Sequence, residues 1–302
     1  MSATTKAVPA AHPWSAYALL CLAPLCWAGN HIVGRYIAGQ VPPGGLSVLR
    51  WVITCLVLLP FAWPHLRRDW PALQQKPWAM LLLALAGGGI FGTLQFVGLT
   101  YTTALNVAVF NSIVPVCIIL ANLAIFRERV HWMQIEGIII SLIGVLAIIS
   151  KGDGQRLASL NFNGGDILVI ANMLLFGVYS TCLRLKPNVH WLTFVMALAV
   201  ISGVANIPLA AWEMTHGQPL QANTTTALAI LYTGIFSSAV AYAAWSIGVA
   251  AIGSARSGVF LHLIPLYGAI LSTLFLGEQI QPFHIAGLAA ILTGVTLATR
   301  RV

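Results

Sequence analysis

The second half of this 302-residue chain repeats the first at a fixed offset, and an odd number of apolar spans separates the two copies. Pro115, Glu128, Gly137 and Gly144 recur 150 residues later as Pro265, Glu278, Gly287 and Gly294, with Val109-Phe110 matched by Val259-Phe260 and Ile135 by Ile285. The register holds without a gap across two consecutive hydrophobic segments. Copies that lie five crossings apart must enter a bilayer in opposite orientations, and inverted repeats mark carriers that alternate access to a site between their halves. Whatever this chain folds into has to use one structural unit twice, once in each direction.

With 59% hydrophobic and 7% charged residues, the composition is far from that of a soluble domain, where roughly a quarter of residues are charged. Apolar stretches run at about 15–38, 44–63, 78–100, 103–126, 132–150, 165–185, 190–212, 225–250, 254–276 and 283–299, each near the roughly 20 residues a helix needs to span hydrocarbon. The expected fold is an all-α integral membrane protein with ten transmembrane helices in two inverted five-helix repeats around a central cavity. The spans are too long and continuous for the strands of a barrel, which run about 10 residues. The first span exceeds the core of a signal peptide, follows a single charge at Lys6 and ends without a small-residue cleavage site, so it is expected to remain as a helix. Cys21, Cys26, Cys55, Cys117 and Cys182 all fall in spans with no paired-ligand spacing; they are expected to pack as small apolar residues, with no disulfide and no metal.

The formal charge of +8 is scattered over loop ends and forms no long run, which argues against a nucleic-acid partner. Topology explains it better. With the N-terminus inside, Lys6, Arg67, Arg68, Lys76, Arg127, Arg129, Arg184, Lys186, Arg256, Arg300 and Arg301 collect on the cytoplasmic side, leaving Arg35, Arg50, Lys151 and Arg156 toward the other face. Both termini are expected in the cytoplasm. The longest connections, 64–77, 151–164 and 213–224, are too short for a separate domain. The middle one is polar and Gly-rich, which places the boundary between a first repeat at 1–150 and a second at 151–302.

Polar side chains inside a bilayer are costly, so their positions point to a site. The candidates are Asn30 and His31 in the first span, Gln95 and Tyr101 in the third, Asn106 and Asn111 in the fourth, Asn172 and Tyr179 in the sixth, Tyr242, Trp245 and Ser246 in the eighth, and His262 and Tyr267 in the ninth. Tyr242, Trp245 and Ser246 share one helical face, as a ligand wall or as a packing stripe. Pro115 and Pro265 are matched helix breakers, suited to shaping a cavity or to packing alone; each frees a carbonyl four residues back. Glu128 and Glu278 follow the fourth and ninth spans and read as structural anchors. Aromatic rings with amides and hydroxyls, and no buried acid, suit a zwitterionic or neutral metabolite. A polyanionic cargo would need several basic groups, and only Arg35, Arg50 and Arg256 stand close to a span. For proton coupling, Glu136 lies near an interface, while His31 and His262 are titratable within spans; each imidazole could equally serve one hydrogen bond between helices.

The pattern Pro115…Arg127-Glu128…Gly137…Gly144-Val145, repeated as Pro265…Gly277-Glu278…Gly287…Gly294-Val295, resembles the EamA repeat of the drug/metabolite transporter superfamily. The opening Pro24-Leu-Cys-Trp27-Ala-Gly-Asn30 is similar to the first helix of that family and adds Trp27 to the substrate-binding candidates. Within the superfamily the chain most resembles bacterial YddG-type exporters of aromatic amino acids. The resemblance implies a cavity open alternately to each side, peripheral fifth and tenth helices, and a multi-pass carrier in the bacterial inner membrane. Its cargo would be small amphiphilic metabolites, foremost aromatic or hydrophobic amino acids, with no cofactor and a monomer sufficient. A nucleotide-sugar or drug carrier of the same fold is the alternative. An enzyme acting on a lipid-linked substrate is disfavoured, because the seven carboxylates form no Asp-x-x-Asp or His-Glu-x-x-His and the chain has no Gly-x-Ser-x-Gly. Arg127 gives way to Gly277 in the second copy, so a strictly symmetric site is not expected.

Overall fold

The computed structural model describes residues 13–37, 40–101, 107, 110–158, 163–216, 220–276 and 281–300. In the first half these form α1 (Pro13–Tyr36), α2 (Pro43–Gln75), α3 (Pro77–Ala84, a π-helical turn Leu85–Gly89, then Ile90–Tyr101), α4 (Val114–Ala121 running into a π-helical turn Asn122–Phe126) and α5 (Trp132–Ile149). The second half contributes α6 (Gly164–Cys182), α7 (Trp191–His216), α8 (Thr224–Tyr232, a π-helical turn Thr233–Val240, then Ala241–Ile252), α9 (Ser254–Gly258, a 3-10 turn Val259–His262, then Leu263–Leu276) and α10 (Pro282–Thr299). Nine helices among the described residues are long and apolar enough to cross a membrane, and Val114–Phe126 adds a shorter apolar one. The architecture is the ten-helix inverted repeat.

One element is longer than its hydropathy suggests. The stretch 64–77, expected as a connection, is mostly helix, because α2 continues through Pro64 and Pro71 to Gln75. Its extension is held by α7: the His190 amide and the Thr193 hydroxyl donate to Asp69 Oδ2 at 2.8 and 2.9 Å, and the His65 and His190 rings stack at 3.8 Å. Burial, and then the charge of His65, push the His190 imidazole below its ordinary value against the opposing pull of Asp69. At the other end of α2 the Gly44 and Gly45 amides donate to the two oxygens of Glu213 at 2.9 and 3.0 Å. A carboxylate there satisfies free N–H groups and complements the helix dipole.

These contacts also give the direction of the chain. Gly44 meets the end of α7 and Asp69 meets its start, so α2 and α7 run antiparallel. In the same way Gly137 lies against Gly294 and Ala298, while Gly144 lies against Gly287 and Ile291, so α5 and α10 run antiparallel. A Cβ on Gly144 would stand 2.7 Å from the Gly287 carbonyl. The repeated glycines therefore let two backbones meet, which is how membrane helices associate without a hydrophobic driving force. Each pair joins the same helix of the two repeats, and opposite direction within each pair is the inversion itself. The remaining contacts obey the same exchange: α1 packs on α8 and α9, and α6 packs on α3 and α4.

Candidate functional site

The central helices are interrupted where the halves meet. α3 and α8 correspond in the two repeats, and both pass through a π-helical turn midway, at Leu85–Gly89 and Thr233–Val240. A π-turn disturbs the regular hydrogen-bond ladder, and such turns are frequent at functional sites. Side chains from across the interface take up carbonyls of these turns. The Tyr242 hydroxyl donates to the Gly87 carbonyl, Trp27 Nε1 to that of Ser237 at 3.1 Å, and the Thr54 hydroxyl to that of Gly234 at 2.8 Å. Asn206 of α7 donates to the Gly89 carbonyl at 2.9 Å and pairs with Thr93, so α2, α3, α7 and α8 are tied by polar contacts at this level.

Pro115 and Pro265 do not kink continuous α-helices. Each stands in the first turn of a helical stretch, Val114–Ala121 or Leu263–Leu276, after a turn at Ser112-Ile113 or the 3-10 turn Val259–His262. In that place proline lacks an N–H the helix would not have used. The Ser112 carbonyl at the α4 break accepts from His262 Nε2 at 2.9 Å, and His262 Nδ1 pairs with the Ser141 hydroxyl at 2.5 Å. Ser112 and His262 are themselves 150 residues apart, so repeat-related positions touch and the pseudo-two-fold axis passes between them. Both ring nitrogens of His262 are engaged and the side chain is buried. It bridges α4, α5 and α9, and the pocket role expected for it gives way to the interhelical hydrogen bond.

Phe176 of α6 is the hub of an aromatic cluster. Its ring lies 5.6 Å from Trp27, 4.8 Å from Phe91, 5.5 Å from Tyr179 and 5.9 Å from Trp245. The wall expected from Tyr242, Trp245 and Ser246 is packed interior here. All three are buried, with Trp245 Nε1 donating to the Ser180 hydroxyl at 3.1 Å and the Ser246 hydroxyl to the Ala243 carbonyl at 3.1 Å. Tyr179 is buried among them. Trp27 and Phe91 are only half-buried and stand at the edge of the cluster. One helical turn from Phe91 and Phe176, Gln95 accepts from Asn172 Nδ2 at 3.3 Å, placing an amide pair beside the rings.

Half-buried Asn30 and exposed His31 follow Trp27 on α1, on the side away from the outward-facing Trp14, Leu22 and Leu25. Asn111 is half-buried just before the α4 break, and half-buried Tyr267 reaches the Cys21 thiol of α1. Tyr101, 68% exposed, ends α3 ten residues beyond Phe91. At 1.5 Å per residue that is about 15 Å along the helix from Phe91, which sets Tyr101 apart from the aromatic cluster. Asn106 lies outside the described residues.

The EamA-like transporter model matches this chain at residues 14–150 and again at 163–300. The chain belongs to the EamA-like transporter family. An uncharacterized transporter of Archaeoglobus fulgidus is 28% identical over 296 residues, covering 94% of this chain and 96% of that protein. The transporter YetK of Bacillus subtilis is 24% identical over 93% of this chain and 85% of its own length. A protein of Streptantibioticus cattleyicolor named a probable terminal-alkyne amino-acid exporter is 25% identical over 93% of this chain and 92% of its own. A solved crystal structure superposes with a TM-score of 0.79 at 20% identity, covering 95% of this chain and 96% of that one, and shares the fold.

For an EamA-like transporter the most telling residue is Arg50, one of the three basic groups that stand close to a span. Arg50 is 5% exposed, within α2, with its guanidinium 4.7 Å above the Trp51 ring and in contact with the Tyr242 hydroxyl. Ser47, Thr93 and Asn206 were likewise missed. The signals were present: an arginine seven residues inside helix 2, an asparagine in the apolar run of helix 7, and Gly87-Gly88-Gly89 in the middle of helix 3.

Proposed function

We propose that this EamA-like transporter is an alternating-access carrier that exports small amphiphilic metabolites, foremost aromatic or hydrophobic amino acids, across the bacterial cytoplasmic membrane, with both termini inside. One observation carries the mechanism: repeat-related positions have opposite surroundings. Ile118 on α4 is fully buried, with Gly177 of α6 packed on the adjacent Cys117. On α9, Gly268 is the residue 150 positions on, and no atom lies within 4 Å of where its Cβ would stand. An inverted repeat whose matched positions are packed in one half and open in the other can exchange the two states by swapping the roles of its halves.

The cargo class is supported by the site chemistry and by the exporter among the relatives. Trp27 and Phe91 offer aromatic surface, while Asn30, His31, Gln95 and Asn111 offer polar groups that suit the cargo's polar end. The test is counterflow in liposomes containing the purified protein, with tryptophan, phenylalanine, leucine, a nucleotide sugar and a cationic drug as cargoes. Saturable counterflow of the aromatic and aliphatic amino acids is expected. Flux confined to the nucleotide sugar or the drug would assign the same fold another cargo, and turnover of a compound without net movement would mean an enzyme.

A further inference from the structure

A charged arginine within a membrane helix costs about 2.5–3.5 kcal/mol at the centre of the bilayer, and such residues face a partner or a functional cavity. Arg50 has no acidic partner among the described residues. Asp69 pairs with Arg68, Asp153 with Arg156 and Glu128 with Arg184. Asp166 caps α6, Glu213 caps α2, and Glu136 is exposed on α5. The cation is therefore left without a counter-charge.

Its neighbours are short of acceptors as well. Arg50 Nε, Trp51 Nε1 and the Tyr179 hydroxyl are buried and have no hydrogen-bond partner. All three belong to residues around one ring: Tyr242 lies 5.4 Å from Trp51 and 5.9 Å from Tyr179, and touches the Arg50 guanidinium. Two of these groups are N–H donors only, and the hydroxyl can donate. Buried polar groups are nearly always satisfied, so an unpaired cation with its own Nε free and two orphaned donors among its neighbours points to an acceptor that is absent from the protein itself. Two turns before Tyr179 on α6, Asn172 Oδ1 is an orphaned acceptor beside Gln95.

We propose that Arg50, with Trp51 Nε1 and the Tyr179 hydroxyl, seats a single carboxylate of the cargo where α2, α3, α6 and α8 meet. This rests on the carrier reading above and adds the charge it selects. One guanidinium neutralises one negative charge, and no second cation stands with it among these residues, so a carboxylate fits better than a phosphate dianion. Gly92 is part of the seat, since a Cβ there would stand 3.0 Å from Arg50 Nη2 and crowd the guanidinium.

The experiment is binding to the full-length purified protein, by calorimetry and by thermal shift, with L-phenylalanine, 3-phenylpropionate, L-phenylalanine amide and phenyl phosphate. The wild type should prefer the two carboxylates over the amide by roughly tenfold to a hundredfold, the range expected for a hydrogen bond to a charged group. Arg50→Gln should abolish that preference and Arg50→Lys should restore part of it. Gly92→Ala keeps the arginine and should weaken carboxylate binding severalfold with the amide unchanged, which decides the matter if Arg50→Gln fails to fold. Equal binding of acid and amide by the wild type, or equal weakening of both in Arg50→Gln, would make Arg50 a structural latch on Tyr242 and overturn the proposal while leaving the carrier intact. Tighter binding of phenyl phosphate would overturn the choice of carboxylate. Binding of none of the four would remove the aromatic-cargo reading, and the seat with it.

Discussion

Ile118 on α4 and Gly268 on α9 hold the same place in the two repeats, yet one is sealed and the other faces open space. The α4–α6 seam is closed by more than apolar packing. Asn122 donates to Thr181 at 3.0 Å and to Ser254 at 2.9 Å, and accepts from Ser254 at 3.1 Å, so one buried amide clamps α4, α6 and the start of α9. Beyond it Arg184 reaches Glu128 at 2.6 Å and covers the Phe126 ring. On the α9–α1 side the register differs: Cys117 meets Gly177, whereas Tyr267, its counterpart, meets Cys21. Farther along α1, Gly34 again has nothing within 4 Å of its missing Cβ, and His31 is exposed. Matched positions of the two repeats thus differ in how tightly they are packed, and at the α4–α6 seam these polar contacts add to the packing.

The largest expected effect comes from opening the clamp. Asn122→Leu deletes its bonds and leaves Ser254 to find another partner, while Thr181 keeps its bond to the Ile118 carbonyl; the change should cost about 3 kcal/mol of stability, given about 1–3 kcal/mol for a buried polar group left unpaired and about 1 for each lost bond. Thermal unfolding in detergent measures it, and a wild-type transition would mean that apolar packing alone holds the seam.

Next comes Gly177→Ala, whose methyl would stand 2.9 Å from the backbone of Cys117. Overpacking of this kind costs about 1–3 kcal/mol. Buried Cys117 should then react faster with a membrane-permeable maleimide in a background lacking the other cysteines; unchanged labelling would break the link between that contact and closure.

Gly268→Ala meets open space, so its stability should stay within about 1 kcal/mol of the wild type, on the favourable side because alanine suits a helix better. Flux should nevertheless fall severalfold, because closing this seam would bring the new methyl against α1. Full flux would show that position 268 stays open throughout the cycle.

The smallest effect belongs to α2 and α7, which neither seam includes. The neutral imidazole of His190 is favoured in the folded protein, so its contribution holds above about pH 6.5 and is lost as the pH falls below it. Facing it are His65, Asp69 and Arg68. A modest drop in unfolding temperature between about pH 7 and pH 5 should flatten in His190→Gln. A slope untouched by that change would assign the acid sensitivity elsewhere.

Much of the architecture was legible because a bilayer imposes a simple code. Apolar length marks a span, and the matched Gly137, Gly144, Gly287 and Gly294 already implied the close α5–α10 pair. The site was less legible. Trp245 and His262 look alike in a sequence whether they line a cavity or bridge two helices, and only their partners, Ser180 for one and Ser112 with Ser141 for the other, tell the cases apart. The prolines drew attention to α4 and α9, while the π-turns in α3 and α8 carry no comparable mark beyond Gly87-Gly88-Gly89 and Gly234.

Composition and the 150-residue register by themselves determined a membrane protein of ten helices built from an inverted pair, since hydrocarbon thickness and an odd spacing of crossings leave little else. Only the tertiary structure decided how tightly each of two matched positions is packed, where Arg50 lies and which aromatics are packed away. Those outcomes depend on side chains from helices far apart in sequence meeting across the halves, and the energies that separate them are those of a few hydrogen bonds.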